Sequence, residues 1–160
     1  MSVTVRSATE QDVPLIAGFI RELAAYERLA QEVVMTEADL RLTLFGEQRY
    51  AEVLIAEQER EPLGFALFFH TYSTFLGRPG LYLEDLFVRP EQRGRGVGLK
   101  LLAQLAGLAQ ERGCGRLEWS VLNWNDSAIG FYDKLGARPR SGWTVYRLTG
   151  EALQELAARA

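Results

Sequence analysis

The chain reads as a mixed-sheet α/β domain, on two observations. The segment "LYLEDLFV" (81–88), a long amphipathic stretch and then "RLEWSVL" (116–122) make a strand–helix–strand unit, which demands a parallel pairing. Ahead of it, "YAEVLIAEQ", "EPLGFALFFHTYS" and "LYLEDLFV" are parted only by short turns, the spacing of antiparallel hairpins. A length of 160 residues suits a single domain, 1–160, with one substantial core.

Taken in order, "VTVRSA" alternates as a first strand. Thr9 and Asp12 form a capping-box-like start for a helix whose apolar stripe is Val13, Ile16, Phe19, Ile20 and Leu23. Thr36 and Asp39 open a second, short helix ending near Gly46. Two strands follow, joined by the charged turn "EREP", and "LGRPG" turns the chain into the strand at 81–88. A helix from about Val97 to Arg112 carries Leu101, Leu105 and Leu108 on one face, and Gly113 closes it. After "RLEWSVL", "NDSAIGFYDKLGA" is a helix stopped by Gly136; "GWTVYRL" is expected as a last strand before the helical tail "GEALQELAARA".

The formal net charge of −3 argues against nucleic-acid binding, which wants a basic face, and accommodates a cationic substrate. Cys114 is the only cysteine, so no intramolecular disulfide forms and a reducing compartment is expected. The start has no apolar stretch of signal-peptide length, and "FALFF" is far too short to span a membrane. A cytoplasmic protein with neither nucleic-acid nor membrane partner is the expectation.

Glu84 and Asp85 stand side by side in an otherwise apolar strand. Simple alternation puts Leu81, Leu83, Asp85 and Phe87 on one face and Tyr82, Glu84, Leu86 and Val88 on the other. One carboxylate then points to each apolar side, so at least one belongs to a site or to an ion pair with an arginine such as Arg116 or Arg147.

"RGRGVG" lies between that strand and the next helix, where free amides and the positive end of a helix dipole converge. It is no Walker loop, because Lys100 is displaced and followed by Leu101. Its G-x-G-x-G spacing also departs from the dinucleotide fingerprint, although Glu118 lies downstream as a candidate ribose acid. Arg89, Arg93, Arg95 and Lys100 crowd the same loop, which favours a pyrophosphate ligand.

The loop and the strand before it resemble the acyl-coenzyme A loop of the GNAT N-acetyltransferases, with the Q/R-x-x-G-x-G/A signature at Arg93, Gly96 and Gly98. "RELAAYE", "HTYSTFLGR", "LYLEDLFV", "NWN…FY" and "GW", in that order, resemble the diamine (spermidine/spermine) and thialysine N-acetyltransferases over nearly the whole chain. The resemblance implies a GNAT fold: a mostly antiparallel sheet with a central parallel pair splayed for acyl-CoA, and helices on both faces. It implies acetyl-CoA as co-substrate, a small cationic amine as acceptor, a homodimer and no metal.

The resemblance also assigns residues. Leu86, Phe87 and Val88 line the splay, with an oxyanion donor near Phe87 or Val88. Arg93, Gly94, Arg95, Gly96, Val97, Gly98 and Leu99 bind the coenzyme, and Asn125 touches its arm or caps a helix. Glu84 is the water-relayed base and Tyr132, at i+7 from Asn125, the proton donor. Tyr26, Glu27, Glu84, Asp85 and Trp143 line the amine side. Ser73 stands where the spermidine/spermine enzymes have an acid, which shifts the expected substrate toward short diamines or lysine analogues. Other readings are a non-catalytic acyl-CoA sensor, a GNAT enzyme acting on an aminoglycoside or peptide, and a dinucleotide-binding protein.

Overall fold

The computed structural model describes residues 2–160. The elements are β1 (Thr4–Ser7), α1 (Val13–Tyr26), α2 (Glu37–Phe45), β2 (Glu52–Gln58), β3 (Glu61–Ser73), β4 (Arg78–Val88), α3 (Val97–Glu111), β5 (Leu117–Trp119), α4 (Asp126–Lys134) and α5 (Gly150–Ala157). They gather into two compact units, one running through Leu122 and the other spanning Asn123–Ala160.

The first unit holds a five-stranded sheet in the order β1-β2-β3-β4-β5. Its first three pairings are antiparallel, and β4–β5 is parallel, as the strand–helix–strand unit requires. The turn between β2 and β3 is made by Glu59 and Arg60, both at positive φ (52° and 70°), which suits a tight hairpin. On one face Val13, Ile16, Phe19 and Leu23 of α1 and Leu40 and Leu44 of α2 pack on Val53, Ile55, Phe65 and Phe87. Phe19 stacks on Phe65 at 5.2 Å between centroids. The buried residues of α3, Val97, Leu101, Leu102, Leu105 and Ala109, contact β4 and β3, whose Leu81, Leu83 and Phe68 are buried outside that first cluster.

Gly64 lets β3 approach β4 closely. A Cβ there would lie 2.4 Å from the Phe87 carbonyl oxygen and 3.0 Å from the Val88 Cα, both backbone atoms that cannot swing aside. Gly64→Ala is therefore expected to cost about 1–3 kcal/mol of stability, the usual price of overpacking, measured by urea denaturation. An unchanged midpoint would mean that the two strands can part without penalty.

In the second unit α4 is capped by Asn125, whose side-chain oxygen accepts from the Ala128 amide at 3.4 Å. The expected last strand is not formed: residues 143–149 enter no ladder, and Trp143, Val145 and Tyr146 are 78%, 87% and 94% exposed. Alternation supplied the propensity, but a strand exists only when a neighbour accepts its hydrogen bonds. β5 is likewise shorter than its sequence pattern suggested, stopping at Trp119.

Candidate active site

The β3–β4 register slips at the acidic pair. Leu67 faces Asp85 while Phe68 faces Leu83, so Glu84 is an extra, bulged residue. This corrects the simple alternation: Leu81 and Leu83 do not share a face with Asp85 and Phe87. Asp85 sits opposite Leu67, which packs against the α1–α2 core, whereas Leu83 sits opposite Phe68 outside that core. The physical reason is in the two acids themselves. An unbroken strand would have pushed one carboxylate into each apolar layer, and the bulge avoids this.

The bulge also changes which amides are free. Before it, the Leu81 amide donates to Arg116 beside β5 at 3.0 Å. After it, the Arg89 amide donates to Leu63 of β3 at 2.9 Å, in register with Phe87–Phe65 and Asp85–Leu67. By the alternation of an antiparallel ladder, the amides of Leu86 and Val88 then point away from β3. β5 pairs only with Leu81–Leu83 of β4, so no strand meets those two amides. Of the two expected oxyanion donors, the Phe87 amide therefore faces β3, while the Val88 amide, with that of Leu86, faces away from it.

Asp85 is half-buried, and burial, Glu84 and then Glu27 push its carboxyl up to about 6. Burial and then Glu84 also raise the Glu27 carboxyl; Glu27 is the C-cap of α1. Three acids from two elements thus repel one another. Neither Glu84 nor Asp85 has a salt bridge among the described residues. Arg116, a partner suggested by the sequence, bonds Ser73 and lies 3.9 Å from Glu118 instead.

This has a consequence for stability. Asp85 is ordinarily a carboxylate near 3.8, and folding raises it to about 6, so the folded state holds its proton more tightly than the unfolded state. Stability therefore falls as pH rises from about 4 to about 6 and stays lowered above that. Asp85→Asn should gain about 2 kcal/mol over wild type at pH 8, with the advantage shrinking toward pH 4. Denaturation at several pH values checks this; an advantage that does not vary with pH would mean Asp85 stays ionised throughout.

The glycine loop turns through Gly94 and Gly96, at φ 79° and 81°, a conformation that a side chain would strain. Gly96 caps α3, and the amides of Gly94, Arg95, Gly96, Val97, Gly98 and Leu99 donate to no backbone carbonyl among the described residues. These are the groups that fit a pyrophosphate. The basic side chains are engaged by the protein. Arg95 bonds Gln92 and, at 3.1 Å, Gln58; Lys100 bonds the Val3 carbonyl. Arg93 Nε donates to the Val88 carbonyl at 2.9 Å, and its guanidinium lies over the rings of Tyr26 and Phe87.

Tyr132, half-buried on α4, lies 5.6 Å from the Phe131 ring. Sequence reasoning did not foresee the roles of Gly64 or the Arg93 side chain. An isolated glycine within an apolar strand was the available signal for the first; the second had none, since arginine beside a phosphate loop reads as an anion ligand.

The parallel pair parts beside a loop of unpaired amides, with an acid cluster on the same strand, so that sites suited to an anion and to a cation adjoin. Residues 19–137 match the Acetyltransferase (GNAT) family. The chain belongs to the GNAT acetyltransferases. It is 40% identical to the thialysine N-epsilon-acetyltransferase of Sus scrofa, over 99% of each chain. It is 34% identical to an L-ornithine N5-acetyltransferase of Arabidopsis thaliana, over 95% of this chain and 86% of that one. Among solved structures, an integron cassette protein from the mobile metagenome of V. cholerae superposes with a TM-score of 0.81 at 31% identity, over 98% of both chains.

Proposed function

We propose that the protein transfers an acetyl group from acetyl-CoA directly to a primary amine of a small cationic substrate, a lysine analogue or short diamine. The observation that carries this is the uncompensated acid cluster of Glu27, Glu84 and Asp85 beside the β4 gap. Relatives named for thialysine and ornithine acetylation support an acceptor with one reactive amine and further charge on a short chain.

In this reading the amides of Gly94–Leu99 bind the coenzyme pyrophosphate, with Asn125 touching its arm. The amides of Leu86 and Val88 polarise the thioester carbonyl and take up the oxyanion charge. Glu84 removes the ammonium proton through water; the neutral amine attacks the carbonyl carbon; the tetrahedral adduct collapses; and Tyr132 protonates the leaving sulfur. Asp85 and Glu27 hold a second positive charge; Tyr26 and Trp143 are the residues that the family resemblance assigns to the amine. Every step of this reading is carried by protein groups and needs no metal. The whole chain, 1–160, works as one domain, as a cytoplasmic homodimer. The exposed apolar run of Trp143, Val145 and Tyr146 supports the dimer. No helix of the described residues is long and apolar enough to cross a membrane.

The test is thiol release from acetyl-CoA with putrescine, spermidine, spermine, lysine, thialysine, ornithine, an aminoglycoside and a lysine peptide. Turnover is expected with thialysine, ornithine or putrescine. Turnover confined to the aminoglycoside or the peptide would overturn the substrate class. Coenzyme binding with no turnover would favour an acyl-CoA sensor.

A further inference from the structure

Arg93 occupies an unusual junction. Its backbone immediately precedes Gly94, the first residue of the amide loop. Its Nε donates to the carbonyl of Val88, whose own amide points toward the β4 gap. Its guanidinium carbon lies 4.7 Å from the centroid of Tyr26, the last residue of α1, and 5.4 Å from that of Phe87. Glu27 follows Tyr26 directly. Two turns earlier on α1, Arg89 repeats the device: it lies 5.0 Å over Phe19, bonds the Pro62 carbonyl at 3.1 Å and approaches Glu22 at 3.9 Å. Phe19, Glu22 and Tyr26 fall at i, i+3 and i+7, a single helical face. Two arginines thus rivet the C-terminal half of α1 to the end of β4 and the loop beyond it.

We infer that Arg93 is a positioning residue that couples the two substrate sites, so that coenzyme held at the loop organises Tyr26 and Glu27 for the amine. The inference rests on the acetyl-CoA and amine reading given above. Ordering of the loop amides by an anion fixes the Arg93 backbone; the guanidinium passes that constraint to the Tyr26 ring and the Val88 peptide together. Coupling of this kind is reciprocal: the amine must strengthen coenzyme binding by the same factor.

The experiment is calorimetric titration of thialysine with and without saturating coenzyme A, for wild type, R93Q, Y26L, Y26F and the R93Q/Y26L double variant. In wild type, coenzyme A is expected to tighten thialysine about fivefold, the scale of a partly exposed cation–π contact. R93Q and Y26L should each reduce that ratio to near unity, and the double variant should lose no more than either alone. Y26F keeps the ring and should keep most of the coupling. Reading the ratio rather than the affinity separates coupling from any direct contact of Tyr26 with the amine. Coupling that persists in R93Q, or losses that add in the double variant, would each overturn the proposal. Should R93Q fail to fold, the contrast between Y26L and Y26F decides. Wild type that binds coenzyme A and acetylates an amine but shows no coupling sinks this inference only. Wild type that neither binds coenzyme A nor acetylates any amine sinks the underlying reading as well.

Discussion

Tyr132→Phe is expected to lower kcat by about two orders of magnitude, the usual scale for loss of a positioned general acid, while the dissociation constant of coenzyme A stays unchanged. A thiol with a pKa near that of cysteine, about 8.5, departs as a thiolate that must gain a proton, and expulsion is easier when the proton is supplied as the bond breaks. The substitution removes one oxygen and keeps the ring against Phe131, 5.6 Å away, so the packing of α4 is preserved. A structural role would therefore appear as a small change in thermal stability with little effect on kcat. Unchanged turnover would remove Tyr132 from the mechanism. A fall in coenzyme affinity that matches the fall in rate would make the phenol a binding group.

The parts of this molecule that were legible in the sequence are those governed by local rules. The capping box at Thr36 and Asp39 is present as two reciprocal bonds, the Asp39 amide to Thr36 Oγ1 at 3.2 Å and the Thr36 amide to Asp39 at 2.8 Å. Gly113, at φ 71°, ends α3 where a left-handed residue was needed. The β4–β5 pairing had to be parallel because a helix joins the two strands. What alternation could not give was the bulge. Period-two reasoning assumes that each residue of a strand has one partner, and a single unpaired residue at Glu84 inverts every face beyond it. The acids were singled out as a candidate site, but the single face drawn through Leu81, Leu83, Asp85 and Phe87 breaks at Glu84. The segment 143–149 failed for a different reason: its sequence favours extension, but pairing depends on a neighbour that no pattern within the segment specifies. The arginines at the loop were read from charge alone. Charge cannot distinguish a guanidinium facing phosphate from one lying flat on Tyr26.

Glu84→Gln should lower kcat/KM for the amine about a hundredfold at neutral pH, and the deficit should narrow as pH rises. An alkylammonium with a pKa near 10.4 costs about 4 kcal/mol to deprotonate at neutral pH, and the enzyme has to offset that cost before the amine can attack. Near pH 9 about 4% of such a substrate is neutral, roughly a hundredfold more than at pH 7, so a base matters less. A carboxylate that only attracts the cation would behave differently, since its loss would raise KM at every pH at which the substrate is charged, with kcat unchanged. Asp85 supplies the internal control. Its carboxyl titrates near 6, so amine binding that depends on its charge strengthens as pH rises through that value and levels off above it. Asp85→Asn should therefore flatten the acidic limb of the amine KM profile and show no alkaline rescue, whereas Glu84→Gln should show one. If the two variants exchange these signatures, Asp85 is the base and Glu84 the electrostatic anchor. The bulge permits either outcome, because it brings both carboxylates within electrostatic reach of each other and of the β4 gap.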